Sequence, residues 1–142
     1  MRKQFLIIPI LCSIFLLSCK EEKKQVEGPT QMQQVMAVHD EVMPKMSIIG
    51  KLVGELNDKV DSTETGLKYE TAKRDLQAAH KTMMDWMQGF GNRFDSDEIL
   101  NGKELTAEKQ QWLNEEEEKV NALQEQIKTS IEQAEALLKK EQ

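Results

Sequence analysis

Apolar residues recur along the chain at alternating steps of three and four, the spacing of one face of an α-helix. The first series predicts a helix that begins after the capping residue Thr30 and ends near residues 61–63, with Gly66 in the following turn. Pro44 removes one backbone N–H and crowds the carbonyl of Asp40, so we expect a kink near residues 40–44. The seam of this helix consists of Met32, Val35, His39, Val42, Met46, Ile49, Val53, Leu56 and Val60.

Two further helices follow. The second has its seam at Tyr69, Ala72, Leu76, Ala79, Met83, Trp86 and Phe90. We expect Gly89 and Gly91 to end it, because two glycines so close together weaken a helix. Residues 91–106 then form a connection with one helical turn over 97–100, and Thr106 caps a third helix that can reach Lys140. The third seam holds Trp112, Leu113, Val120, Leu123, Ile127, Ile131, Ala134, Leu137 and Leu138.

These elements predict an all-α fold, an antiparallel three-helix bundle of long amphipathic helices over residues 31–142. Short connections between long helices favour antiparallel neighbours. An alternative is a long coiled coil that dimerises through the same seams. Three helices of this length can close a core within one chain, so we expect a monomer.

The first eighteen residues have the organisation of a signal peptide. Two basic residues precede an apolar stretch at residues 5–17, which is too short to span a bilayer core of about 30 Å. The sequence Leu16-Leu17-Ser18-Cys19 resembles the lipobox of bacterial lipoproteins. This resemblance implies cleavage before Cys19 and acylation of that residue on its thiol and its amine. We therefore expect a signal peptide at residues 1–18 and an acylated cysteine with a polar tether at 19–30; the alternative is an uncleaved membrane anchor.

The residues after the cysteine, Lys20-Glu21-Glu22, bear on localisation. They resemble the signal of one lysine and two acids that sends some lipoproteins of Bacteroidota to the outer face of the outer membrane. We expect a lipid-anchored protein of the bacterial outer membrane. Its position on the periplasmic face or on the cell surface stays open.

The charge of the chain and the lipid expected on Cys19 indicate which kinds of partner it can bind. The 142 residues include 19 Lys+Arg and 25 Asp+Glu, for a net charge of −6. Cleavage would remove two basic residues and no acidic ones, which lowers the net charge to −8. Because nucleic-acid binding needs clustered basic residues, we expect no nucleic-acid partner. We expect attachment to the membrane through the lipid on Cys19 and, on the acidic helix faces, a protein partner.

Methionine and histidine are the main candidates for binding chemistry. Antiparallel pairing of the first two helices places His39 near Met87 and Met46 near His80, and gathers the methionines at one end of the bundle. Running the third helix back along the second also places Glu116 and Glu117 near the level of His80. A methionine-rich core explains this pattern without any ligand. The alternative is a Cu(I) site, since thioether and imidazole are suitable ligands for that ion and Trp86 can add a cation–π contact; its candidate ligands are His39, Met43, Met46, His80, Met83, Met84 and Met87.

Motifs that would indicate an enzyme are missing from the sequence. It contains no Glu-x-x-His pair for a di-iron site, no His-Glu-x-x-His zinc motif, no phosphate-binding glycine loop and no nucleophile elbow. The run Glu115–Glu118 points in several directions on a helix, which favours a solvated face. We expect no catalytic residues and no resident cofactor.

Two segments carry a wider resemblance. His39–Met46 and Met83–Met87 are similar to segments of small helical lipoproteins of Bacteroidota that are often labelled "viral A-type inclusion protein". The resemblance implies an envelope location and a helical architecture, and it supplies no activity. The functional expectation is therefore a lipid-anchored envelope lipoprotein that acts as a binding or structural module, with Cu(I) handling as the alternative.

Overall fold

A computed structural model describes residues 28–139 and shows an all-α protein. The predicted signal peptide, Cys19, most of the predicted tether and Lys140 lie outside the described residues. The helices are α1 (Gln31–Val42), α2 (Lys45–Asn57), α3 (Glu64–Arg93), α4 (Ser96–Leu100) and α5 (Ala107–Lys139). Within residues 28–139, no helix is both long enough and apolar enough to cross a membrane.

The three predicted helices pack as a bundle in up-down-up order. Helices α3 and α5 form the most extensive contact, α2 packs on both of them, and α1 packs mainly on α5. Polar pairs give the directions: Arg93 at the end of α3 meets Glu115 near the start of α5 at 2.7 Å, so these two helices are antiparallel. Gln124 Nε2 donates to Glu41 at 2.8 Å, and Gln31 Nε2 donates to Glu117 at 2.6 Å, so α1 runs parallel to α5.

The predicted kink at Pro44 is confirmed: it separates α1 from α2, although Met43 and Pro44 keep helical backbone angles. The N–H of Met43 still donates to the carbonyl of His39 at 3.0 Å, which closes α1. Pro44 has no N–H to continue the ladder, and α2 starts at the next residue. The kink lets α1 follow α5 while α2 packs against α3 and α5.

The prediction that glycines end α3 is wrong. The helix continues through Gly89 and Gly91 to Arg93. Both glycines are exposed, and the helix is held by Trp86 and Phe90, whose rings stack with centroids 4.9 Å apart. A glycine costs a helix about 1 kcal/mol, which is less than the burial of one large aromatic side chain contributes.

The caps predicted from sequence are present. Thr30 forms a capping box with Gln33, and the hydroxyl of Thr106 accepts the N–H of Lys109 at 3.2 Å. The predicted helical turn is also present as α4. Gly66, predicted in a turn, instead lies buried in the first turn of α3, where a Cβ would come within 2.6 Å of the backbone of Asp61. Its small size therefore allows the α2–α3 connection to pass close by.

The predicted seams form the core. All seven positions of the α3 seam are buried. On the first seam Val35, Val42, Ile49 and Leu56 are almost fully enclosed, whereas His39 is half-buried. The core therefore runs along the whole bundle and leaves His39 at its edge.

Candidate functional site

His39 lies on α1 beside the aromatic row of α3. Its side chain is 15% exposed, and its Nδ1 lies 2.9 Å from Oδ1 of Asp40. Its ring centroid is 5.8 Å from that of Trp86, with the two planes inclined by 31°. The contact with Asp40 occupies one ring nitrogen, so Nε2 is the nitrogen left for a ligand.

The aromatic row continues from Trp86 to the end of α3. Trp86 stacks on Phe90, and the Phe90 and Phe94 centroids are 4.9 Å apart. The indole N–H of Trp86 is buried and has no hydrogen-bond partner within the described part of the chain. The ring is thus positioned by stacking and packing alone.

The predicted methionine ligands have different environments. Met83 is completely buried, whereas Met84 and Met87 are 38% and 37% exposed. Met43 and Met46 are half-buried at the kink between α1 and α2, and both pack against the core. Met36, one turn before His39, is also half-buried.

His80 lies apart from His39. It is exposed and lines a shallow pocket of about 310 Å³ with Ile49, Gly50 and Val53. Trp86, the neighbour of His39, is six residues further along α3, a rise of about 9 Å. His39 was predicted to lie near Met87 and contacts Trp86, one residue away on α3. His80 was predicted to lie near Met46, but it faces Ile49 to Val53.

The prediction that Glu116 and Glu117 lie near His80 is wrong. Glu116 pairs with Arg93 at 3.0 Å and with Lys119 at 2.8 Å, and Glu117 accepts from Gln31. Arg93 is thirteen residues from His80 on α3, so α5 is shifted along the bundle by more than three turns from the predicted register.

Glu116 is also more enclosed than its sequence context indicates. Its side chain is 3% exposed, although the run of four glutamates favours a solvated face. Arg93 joins Glu115 and Glu116 and lies over the ring of Trp112, with its Cζ 5.5 Å from the ring centroid. The network ties α3 to α5.

The acidic helix faces carry mixed charge where the structure describes them. Glu64 meets Lys68 at 2.8 Å, and the Glu70 carboxylate contacts Lys73 and Arg74 at 2.7 Å and 2.9 Å. The pKa of Glu70 lies below its usual range, chiefly because of the hydrogen bond from Lys73. A partner on this surface would meet ion pairs as well as free acids.

Within residues 28–139, no three His, Cys, Asp or Glu side chains come together as metal ligands would. Comparison with protein-family models, curated proteins and solved structures finds no match. The wider resemblance of residues 39–46 and 83–87 stays a prediction.

Proposed function

We propose that the chain is a lipid-anchored envelope lipoprotein whose helical bundle acts as a binding or structural module. The observation that carries the proposal is the sequence Leu16-Leu17-Ser18-Cys19 directly after a short apolar stretch. Acyl chains contribute about 0.8 kcal/mol per buried CH₂, so more than one chain on Cys19 gives stable attachment. The bundle supports a module role because it has a continuous core and charged outer faces.

Replacing the acylated residue tests the anchor. Cys19→Ala should move the protein out of the membrane fraction, because no site for the acyl chains remains. The matched control is Cys12→Ala, which changes the other cysteine but lies within the proposed signal peptide and should leave the protein membrane-bound. Retention of the Cys19→Ala protein in membranes would contradict the proposal.

The proposed outer-membrane location depends on Lys20-Glu21-Glu22. A protease added to intact cells should cleave the protein if it is on the cell surface, and alanine at all three positions should then protect it. Protection of the wild-type protein would place it on the periplasmic face instead. Lysed cells provide the control that the protease can cut the chain.

A second candidate function is Cu(I) binding, favoured by the contact between His39 and Trp86. Met36 and Met43 are three residues before and four residues after His39, and the bond from Met43 N–H to the His39 carbonyl keeps this segment helical. The two thioethers and the imidazole therefore share one half-buried helix face. Soft sulfur and imidazole donors suit Cu(I), and the Trp86 ring can add a cation–π contact.

A Cu(I) titration against a competing chelator, followed by tryptophan fluorescence, tests this candidate. Cu(I) bound at His39 should quench the fluorescence of Trp86. His39→Asn should abolish this quenching and weaken Cu(I) binding, whereas the matched variant His80→Asn should bind Cu(I) as the wild type does. Equal binding by both variants, or wild-type binding no tighter than that of a methionine-poor control bundle, would contradict a site at His39. If the module instead binds only a protein, replacing both histidines should leave that partner bound.

A further inference from the structure

The tether joins the bundle at the pole that carries α4. Thr30 and Met32 line a small pocket of about 160 Å³ together with Gly102 and Leu105 of the α4–α5 connection. Gln31 reaches the start of α5 through a 2.9 Å hydrogen bond to Asn114. Residues 95–105, which we call the α4 turn, therefore lie beside the point where the chain leaves towards Cys19.

The length of the tether keeps this pole near the proposed anchor. The nine residues from Cys19 to the first described residue span at most about 32 Å when fully extended. Helix α5 alone has 33 residues and is about 50 Å long. The α4 turn is thus held within reach of the lipid surface, and the opposite pole is much further along the bundle.

The α4 turn presents one large apolar side chain to the outside. Leu100 is 76% exposed, the largest value among the exposed large hydrophobic residues of the described chain. Its neighbour Ile99 packs against the core, and the side chain of Glu98 points inward to Lys109, with Oε2 and Nζ 2.6 Å apart. The inward contacts of these two residues leave Leu100 on the outer side of α4.

Hydrogen bonds fix the conformation of the α4 turn. Asp95 forms a capping box with Glu98, and the N–H groups of Asn101 and Lys103 both donate to the carbonyl of Asp97. Gly102 has a φ of 68°, which other residues rarely adopt. Leu100 is therefore displayed by a closed turn and not by an extended loop.

We propose that Leu100 inserts into the lipid surface to which Cys19 is attached, so that the bundle stands with its α4 pole on the membrane. This inference rests on the proposed lipid anchor. One leucine binds a bilayer weakly by itself, but the tether makes its insertion an intramolecular step at high effective concentration. The α4 turn carries four carboxylates and one lysine, so the contact favours zwitterionic lipid over anionic lipid.

Spin labelling of the acylated full-length protein in phosphatidylcholine vesicles tests the inference. With Cys19 acylated, one introduced cysteine is the only free thiol of the mature chain. A nitroxide at Asn101→Cys, with Leu100 retained, should contact oxygen dissolved in lipid and lose contact with a water-soluble nickel complex. The matched control is Thr65→Cys, an exposed position at the opposite pole, which should stay accessible to nickel.

The outcomes separate the two proposals. Adding Leu100→Glu to the Asn101→Cys protein should restore nickel access, while the protein still floats with the vesicles. A floating protein whose label at position 101 is as accessible to nickel as the label at position 65 would overturn the contact and leave the anchor intact. A protein that does not float would overturn the anchor and, with it, this inference.

Discussion

The Glu98 carboxylate is enclosed between the α4 turn and α5, with its side chain 4% exposed. Its Oε2 lies 2.6 Å from Nζ of Lys109 and also accepts the N–H of Asp95 at 2.9 Å. The hydrogen bond from Lys109, followed by that from Asp95, lowers the pKa of Glu98 below its usual range. A single residue therefore joins the α4 cap to the first turn of α5.

The pH dependence of folding follows from this shift. A carboxyl group with a lowered pKa stabilises the folded state above its unfolded pKa and loses that contribution as the pH falls through the folded value. We expect the urea midpoint to fall as the pH drops below about 4.3, the usual pKa of a glutamate. Glu98→Gln should lower the midpoint at neutral pH and make its decline in acid smaller.

The control for this prediction is Glu104→Gln, which removes one charge from an exposed residue of the same turn. It should leave both the midpoint at neutral pH and the acid dependence close to wild type. Far-UV circular dichroism during urea unfolding measures both quantities. Identical acid profiles for Glu98→Gln and the wild type would contradict the role given to Glu98.

At the scale of the helices, the end of α3 shows tertiary packing prevailing over local sequence. The glycines at 89 and 91 face outward, and a Cβ at either position would meet nothing within 4 Å. Phe90, between the two glycines, and Phe94, at the end of the helix, are 4% and 3% exposed. The buried face thus decides where the helix ends, at the extended residue Phe94.

Replacing both glycines tests this account of α3. Gly89→Ala and Gly91→Ala should each stabilise the protein by about 0.5–1 kcal/mol, because alanine loses less backbone entropy in a helix. The free energy of unfolding in urea measures the gain. The control Gly102→Ala should destabilise the protein, since its φ of 68° disfavours a side chain. A double variant no more stable than wild type would contradict a continuous helix at residues 89–91.

The sequence predicted features that repeat with the helical period or depend on adjacent residues. The α3 seam, the Thr30 and Thr106 caps and the kink at Pro44 are of this kind, and all are present. The features that the sequence did not predict depend on contacts between residues that are distant in the sequence. Glu116 is buried because Arg93 of another helix reaches it, and a run of four acids holds no signal of that contact.

In the candidate site, too, positions along one helix could be predicted, whereas contacts between helices could not. The spacing of His39 and Met43 could be predicted, because residues four positions apart lie on the same face of a helix. The contact between His39 and Trp86 and the separate position of His80 depend on the register between helices. That register is fixed by side-chain packing and the kink at Pro44, which a periodic pattern does not encode.

At the scale of the whole molecule, we propose a helical bundle that is held to a membrane through one lipidated residue near its α4 pole. In this proposal the anchor and the α4 turn are at one end, and the outer faces of α3 and α5 extend away from the lipid. His39 and Trp86 lie near the middle of the bundle, because Glu41 bonds Gln124 and Trp86 faces Leu123, both near the middle of α5. The candidate Cu(I) ligand His39 is therefore about half the length of the bundle away from the α4 pole.

The most direct test of the central claim is intact mass spectrometry of the protein purified from membranes. We predict a chain that begins at Cys19 and carries the added mass of a diacylglycerol and an amine-linked acyl chain. A chain that retains residues 1–18, or one that begins at residue 19 with an unmodified thiol, would contradict the account.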